Sequence, residues 1–105
     1  MMPKKRIYIL AKTDLREAAL WYEKASSGLG KRFLREVNDE VQYICQNPLA
    51  QQIRYGIYRI SFLKTFPYGI HYEYVEEKNQ INIFAVFHTS RNPAIWTERT
   101  QIYSA

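Results

Sequence analysis

Apolar residues recur at helical spacing in the first half of the chain and at every second position in the rest, and this change of period divides it. Leu15, Ala18, Ala19 and Tyr22 fall at i, i+3, i+4 and i+7, the stripe of an amphipathic helix. Thr13 and Asp14 precede them as N-cap candidates, and Asp14 with Glu17 has capping-box spacing. Ser26-Ser27-Gly28 ends this helix. A second is predicted from about Gly30 to Gln46, burying Phe33, Leu34, Val37, Val41, Ile44 and Cys45. Its Lys31, Arg32, Arg35, Glu36, Asp39 and Glu40 lie largely on the wet side, and Asn47-Pro48 stops it. So short a break returns the two helices antiparallel, as a hairpin. Ahead of them, Ile7-Tyr8-Ile9-Leu10-Ala11 reads as a first strand.

From Ile53 the period is two. Tyr58 to Phe66, Tyr68 to Val75 and Gln80 to His88 read as strands, with a turn or edge at Pro67 and a polar turn at Glu76-Glu77-Lys78-Asn79. Pairing Val75 with Gln80 sets the last hairpin's register. It puts Ile70, Tyr72, Tyr74, Ile81, Ile83 and Ala85 on one face, and His71, Glu73, Asn82 and Phe84 on the other, with His88 at the end of that second face. A short loop at Pro67 extends the apolar face to Ile60 and Phe62 and the polar face to Arg59 and Ser61. The expected fold is α+β, in the order β-α-α-β-β-β: one domain over residues 1–105, its antiparallel sheet packed on a helical hairpin, its other face free for function.

Composition narrows the chemistry. A chain of 105 residues holds one core. Its single cysteine, Cys45, rules out an intrachain disulfide and suits a cytoplasmic setting. Cys45, His71 and His88 share no ligand spacing, so no metal and no cofactor are expected. The N-terminal apolar run is too short for a signal segment or a membrane span. The net charge of +5 is spread evenly along the chain and suits an anionic partner, nucleic acid or an acidic protein segment. Lys4-Lys5-Arg6 reads first as a solvated tail and second as a nucleic-acid arm.

The candidate functional residues lie in the strand half. His71 and Glu73 on one sheet face, with His88 at its end, offer an acid and a base, and Arg59 and Arg91 offer charge for a phosphate. That set would equip a metal-free ribonuclease. The competing account makes His71 and Glu73 ordinary polar members of a solvated face. The segment from His88 to Pro93, followed by Trp96 and Arg99, also has two readings. Trp96 and the two arginines grip an acidic partner or stack on a base, or else Trp96 lids the core and Pro93 opens a final helix.

Asp14-Leu15, Trp21-Tyr22, Gly30, Phe33 and Asn47-Pro48 together resemble the helical hairpin of the RelE/ParE toxin superfamily. Tyr58-Arg59, Phe66-Pro67-Tyr68-Gly69-Ile70-His71-Tyr72, Ile81, Ile83, Ala85-Val86-Phe87-His88, Arg91 and Pro93 resemble its strand half. The likeness covers roughly residues 6 to 99. It implies a small bacterial type II toxin that inhibits growth and is neutralised by a cognate antitoxin. It also implies a target: DNA gyrase, bound without chemistry, in the ParE-like branch, or messenger RNA cut on the ribosome in the RelE-like branch. Under the second, Arg59, His88 and Arg91 would be catalytic; under either, His71, Glu73, Trp96 and Arg99 are candidate partner contacts. RelE-like nucleases often carry an arginine where this chain has Gly69, which tilts the expectation towards gyrase. A third reading, a degenerate member that only binds its partner protein, stays open.

Overall fold

A computed structural model describes residues 1–103. Strand β1 (Lys4–Ile7) leads into α1 (Ile9–Ala25) and α2 (Leu29–Gln46). Then come β2 (Ile53–Tyr55), β3 (Tyr58–Phe62), β4 (Tyr68–Val75), β5 (Gln80–His88) and α3 (Ala94–Tyr103). The strands form one sheet in the order β1-β5-β4-β3-β2. The α+β hairpin-on-sheet architecture is therefore present, with a fifth strand, β2, and a parallel β1–β5 pair that makes the sheet mixed.

The helical hairpin covers one face. Ala11, Ala18, Phe33, Val37, Val41, Ile44 and Cys45 pack there on Ile70, Tyr72, Ile81, Ile83 and Val86. Leu34, expected in this stripe, is 42% exposed, because it stands just off the buried row. At the hairpin's crossing, a Cβ on Gly30 would lie 2.5 Å from the Ala19 carbonyl oxygen, so only glycine permits the approach. Glu23 accepts N–H bonds from Gly28 and Gly30, which hold its carboxyl below the usual range.

The apolar run expected to form the first strand is split. Ile7 closes β1, while Ala11, wholly buried, is already the first inward position of α1. Thr13 and Asp14 are consequently inside the helix and cap nothing. Thr13 Oγ1 donates to the Ile9 carbonyl, and Asp14 is free to act at a distance.

Val75 pairs with Gln80 as expected, but two local events reassign faces further along. Tyr72 pairs with Ile83 and His71 with Ala85, so Phe84 is an extra residue, a β-bulge. Beyond it the faces of β5 invert: Ala85 leaves the helical face and Val86 joins it. The second event is the end of β3 at Phe62. The Leu63 N–H donates to the Tyr68 carbonyl, and this register sets Arg59 and Ser61 opposite Tyr72 and Ile70, on the helical face. Ile60 and Phe62 fall on the other face, contrary to the sequence expectation. A shift of one residue suffices, because side chains alternate with period two.

That other face is not open. Helix α3 crosses it, and Phe84, Ala85 and Phe87 pack with Tyr8, Tyr55, Tyr58, Ile95, Trp96 and Tyr103. Ile81 to Phe87 is therefore buried without a break. Pro93 does precede the final helix, and the Asn92 side chain accepts the Ala94 N–H at its start.

Candidate functional site

The far end of β5 runs past the end of β1, which leaves its edge groups at Phe84 and Val86 without a strand neighbour. Asp14 and Arg99 take that place. Asp14 Oδ2 accepts the Val86 N–H at 2.9 Å, and Arg99 Nη1 donates to the Phe84 carbonyl at 2.9 Å. The two side chains then join each other at 2.8 and 3.0 Å, with only 14% and 12% of their surfaces exposed. This bidentate clasp pins α3 to α1 across the sheet edge. Arg99, a candidate partner contact, is thus committed to the fold.

His71 is committed too. It is 2% exposed, ringed by Tyr55, Phe84, Phe87 and Trp96, and its Nδ1 shares a 2.8 Å hydrogen bond with the Tyr55 hydroxyl. Burial, reinforced by the Arg99 and Arg54 charges, lowers its pKa to about 3. Burial likewise raises the Tyr55 pKa, so both groups are neutral at physiological pH. Glu73 lies along the same face, half-buried, and accepts the Asn82 side-chain amide at 2.9 Å.

Arg59 stands apart from His88 and Arg91. It sits on the helical face opposite Tyr72 and donates to the Gln51 carbonyl, while its Nε and the Tyr72 hydroxyl are buried without partners. His88 pairs with Tyr68, four positions along β4 from Tyr72, roughly 13 Å away at strand spacing. Its ring packs edge-on against Tyr68, and its Nδ1 accepts the Ser90 N–H at 3.0 Å. A neutral His88 therefore keeps its proton on Nε2.

What does converge is a groove of about 480 Å³ between the ends of β2 and β5, the 89–93 loop and the start of α3. Its apolar floor is Phe62, Phe87 and Trp96, and its charge comes from Arg54 and Arg91. Arg54 lies over the Phe62 ring at 5.9 Å and Arg91 over Phe87 at 5.5 Å. Among the described residues no carboxylate lines it. Gly69 forms part of the wall, but the space above it is taken: an added Cβ would lie 2.8 Å from Ile60 Cγ2 and 3.2 Å from the Phe62 ring. On the far side of His88 and Arg91 is a smaller cleft of about 220 Å³, which they share with Asp14, Glu17, Trp21 and Tyr68. Arg54 carries no sequence signal of its own and Glu17 only a capping-box spacing; the folding of β2 and α1 is what brings them beside the β5 end. Among the described residues no three His, Cys, Asp or Glu side chains gather as metal ligands, and no helix is long and apolar enough to cross a membrane.

Residues 9–93 match the family described as the ParE toxin of the type II toxin–antitoxin system parDE. No curated protein matches the sequence. Among solved structures, the chain is similar to one from the chromosomal ParDE system of P. aeruginosa, at 17% identity and a TM-score of 0.68, over 85% of this chain and 98% of that one. It is also similar to the isolated E. coli RelE toxin, at 14% identity and a TM-score of 0.64, over 95% and 98% of the two chains. A chain of the RelBE2 toxin–antitoxin complex of Mycobacterium tuberculosis gives 14% identity and a TM-score of 0.60, over 84% and 99%. At these identities the structural likeness speaks for the fold.

Proposed function

We propose that this chain, which belongs to the ParE toxin family of type II toxin–antitoxin systems, arrests growth by occupying a surface of DNA gyrase rather than by cutting messenger RNA. As a toxin of that kind it has an antitoxin as partner, which keeps it silent. The observation that carries the gyrase reading is the packed space over Gly69. Where nuclease relatives often place an arginine, this chain has a glycine roofed by Ile60 and Phe62, next to a groove without a carboxylate among the described residues. Arg59 lies on the opposite face of the sheet, so it does not supply the missing charge. A cationic, aromatic-floored groove suits recognition of a protein surface, where arginines and aromatic anchors carry most binding energy. Trp96, half-buried in its floor, is the partner contact we retain from the sequence, with Arg54 and Arg91 beside it.

The ribonuclease reading keeps one specific support. Glu17 lines the same cleft as His88 and Arg91, which provides a carboxylate, an imidazole and a guanidinium together. Induction in a bacterial host, with and without the antitoxin, separates the two. Under the gyrase reading Arg54→Glu abolishes arrest and Glu17→Gln leaves it intact. Under the ribonuclease reading Glu17→Gln removes a proton-transfer group, typically worth 10²–10⁴-fold in rate, and relieves arrest.

A further inference from the structure

The basic cluster at the N-terminus lies at the other side of the sheet from this groove. Strand β1 is an edge strand, and its side chains alternate across that edge: Lys5 stands beside Ile81 and Arg6 beside Asn82. Lys12, in the first turns of α1, joins them. With Ile7, Tyr8, Ile9 and Tyr103 these residues line an open groove of about 660 Å³ that contains three cations and, among the described residues, no carboxylate side chain. Its walls are fixed in place. The Leu10 N–H donates to the Tyr103 hydroxyl at 3.2 Å, the Tyr8 and Tyr103 rings lie 4.6 Å apart, and Arg6 sits 5.2 Å over Tyr8.

We propose that this groove binds the phosphodiester backbone of a nucleic-acid duplex, without reading its sequence. Lys5, Arg6 and Lys12 are all exposed, so each can reach a phosphate. Single strands are held largely by stacking on open aromatic faces. Here Tyr8 and Tyr103 are half-buried against each other and Arg6 occupies a face of Tyr8, which leaves backbone charge as the available contact. A duplex, with one charge per roughly 1.7 Å, presents the densest such backbone. Lysine and arginine on an edge strand disfavour an added peptide strand. A membrane surface fits a concave groove poorly, since Ile9 is the strongly exposed apolar side chain in its lining. This site does not depend on the gyrase reading.

The test uses the full chain and a fluorescently labelled 20-base-pair DNA duplex, with anisotropy read across 50–200 mM salt. Three phosphate contacts give a slope of log K against log salt near −2.7, at about 0.9 per contact. The triple variant Lys5→Gln/Arg6→Gln/Lys12→Gln is expected to weaken binding at least tenfold at 50 mM and to flatten that slope towards zero. A matched triple elsewhere, Lys24→Gln/Lys31→Gln/Lys64→Gln, removes the same charge and is expected to leave the slope within one contact of wild type. Equal losses in both triples would reduce the effect to net charge and overturn the site. So would absence of duplex binding by wild type at 50 mM, tighter binding of a single-stranded RNA, or preference for anionic vesicles or an acidic peptide. Circular dichroism confirms that both triples fold. A supercoiling assay on the same proteins keeps this outcome separate from that of the gyrase reading.

Discussion

Acid should weaken this protein through His71 as the pH falls below roughly 6.5. The imidazole is 2% exposed, and its pKa is lowered to about 3 by burial and by the Arg99 and Arg54 charges. In the unfolded chain it returns to roughly 6.5. Below that value the unfolded state takes up a proton that the folded state refuses, so stability is complete above pH 6.5 and falls as pH drops towards 3. Between pH 7.5 and pH 5 the difference is about 2 kcal/mol, and any folded pKa below 4 gives the same figure. Glu23 and Glu36 have lowered pKa values and stay ionised in the folded state. The assay is urea unfolding of wild type and His71→Gln at both pH values. Glutamine can still meet the Tyr55 hydroxyl but does not titrate. Wild type should lose about 2 kcal/mol more than the variant between the two pH values. Equal losses would show that His71 accepts a proton where it stands, and burial would fail as the cause of its lowered pKa.

Two further expectations follow from the geometry. In a double-mutant cycle, Asp14→Ala and Arg99→Ala should show a coupling of about 1–3 kcal/mol by urea unfolding, because each leaves the other's charge and a β5 edge group unpaired. Additive losses would remove the clasp from the account. Gly69→Ala should destabilise by about 1–3 kcal/mol, since its Cβ meets Ile60 and Phe62 at 2.8 and 3.2 Å, and Phe62→Ala should recover part of that loss. A neutral Gly69→Ala would mean the space above Gly69 is open after all.

The hairpin was legible because its burial is one-sided. Phe33, Val37, Val41, Ile44 and Cys45 repeat at helical spacing and are all buried. The turn between Val75 and Gln80 was legible as well, since its polar residues leave little choice of pairing. Parity was not. Whether Arg59 or Ile60 faces the helices depends on where β3 ends before Pro67, and an apolar Leu63 and Phe66 in the loop hide that point. The bulge at Phe84 has no local marker either, and it sends His88 towards Tyr68 and away from the face of His71. One signal was present and pointed the right way: Ile83-Phe84-Ala85-Val86-Phe87 is unbroken apolar sequence, the mark of a strand buried on both faces. It implies a cover over the second face, and α3 with Trp96 provides it. Arg54 and Glu17 were out of reach, since their relevance comes only from what the fold places beside them.

The toxin's action on gyrase through the groove at the sheet's end, proposed above, is open to a direct assay. The most direct measurement is supercoiling of relaxed plasmid by purified gyrase and ATP, titrated with wild type, Glu17→Gln and Arg54→Glu. Wild type and Glu17→Gln should inhibit at the same concentration, and Arg54→Glu should not inhibit. Supercoiling that proceeds unchanged at saturating wild-type toxin, while the same preparation cuts ribosome-bound message and Glu17→Gln does not, would contradict the account.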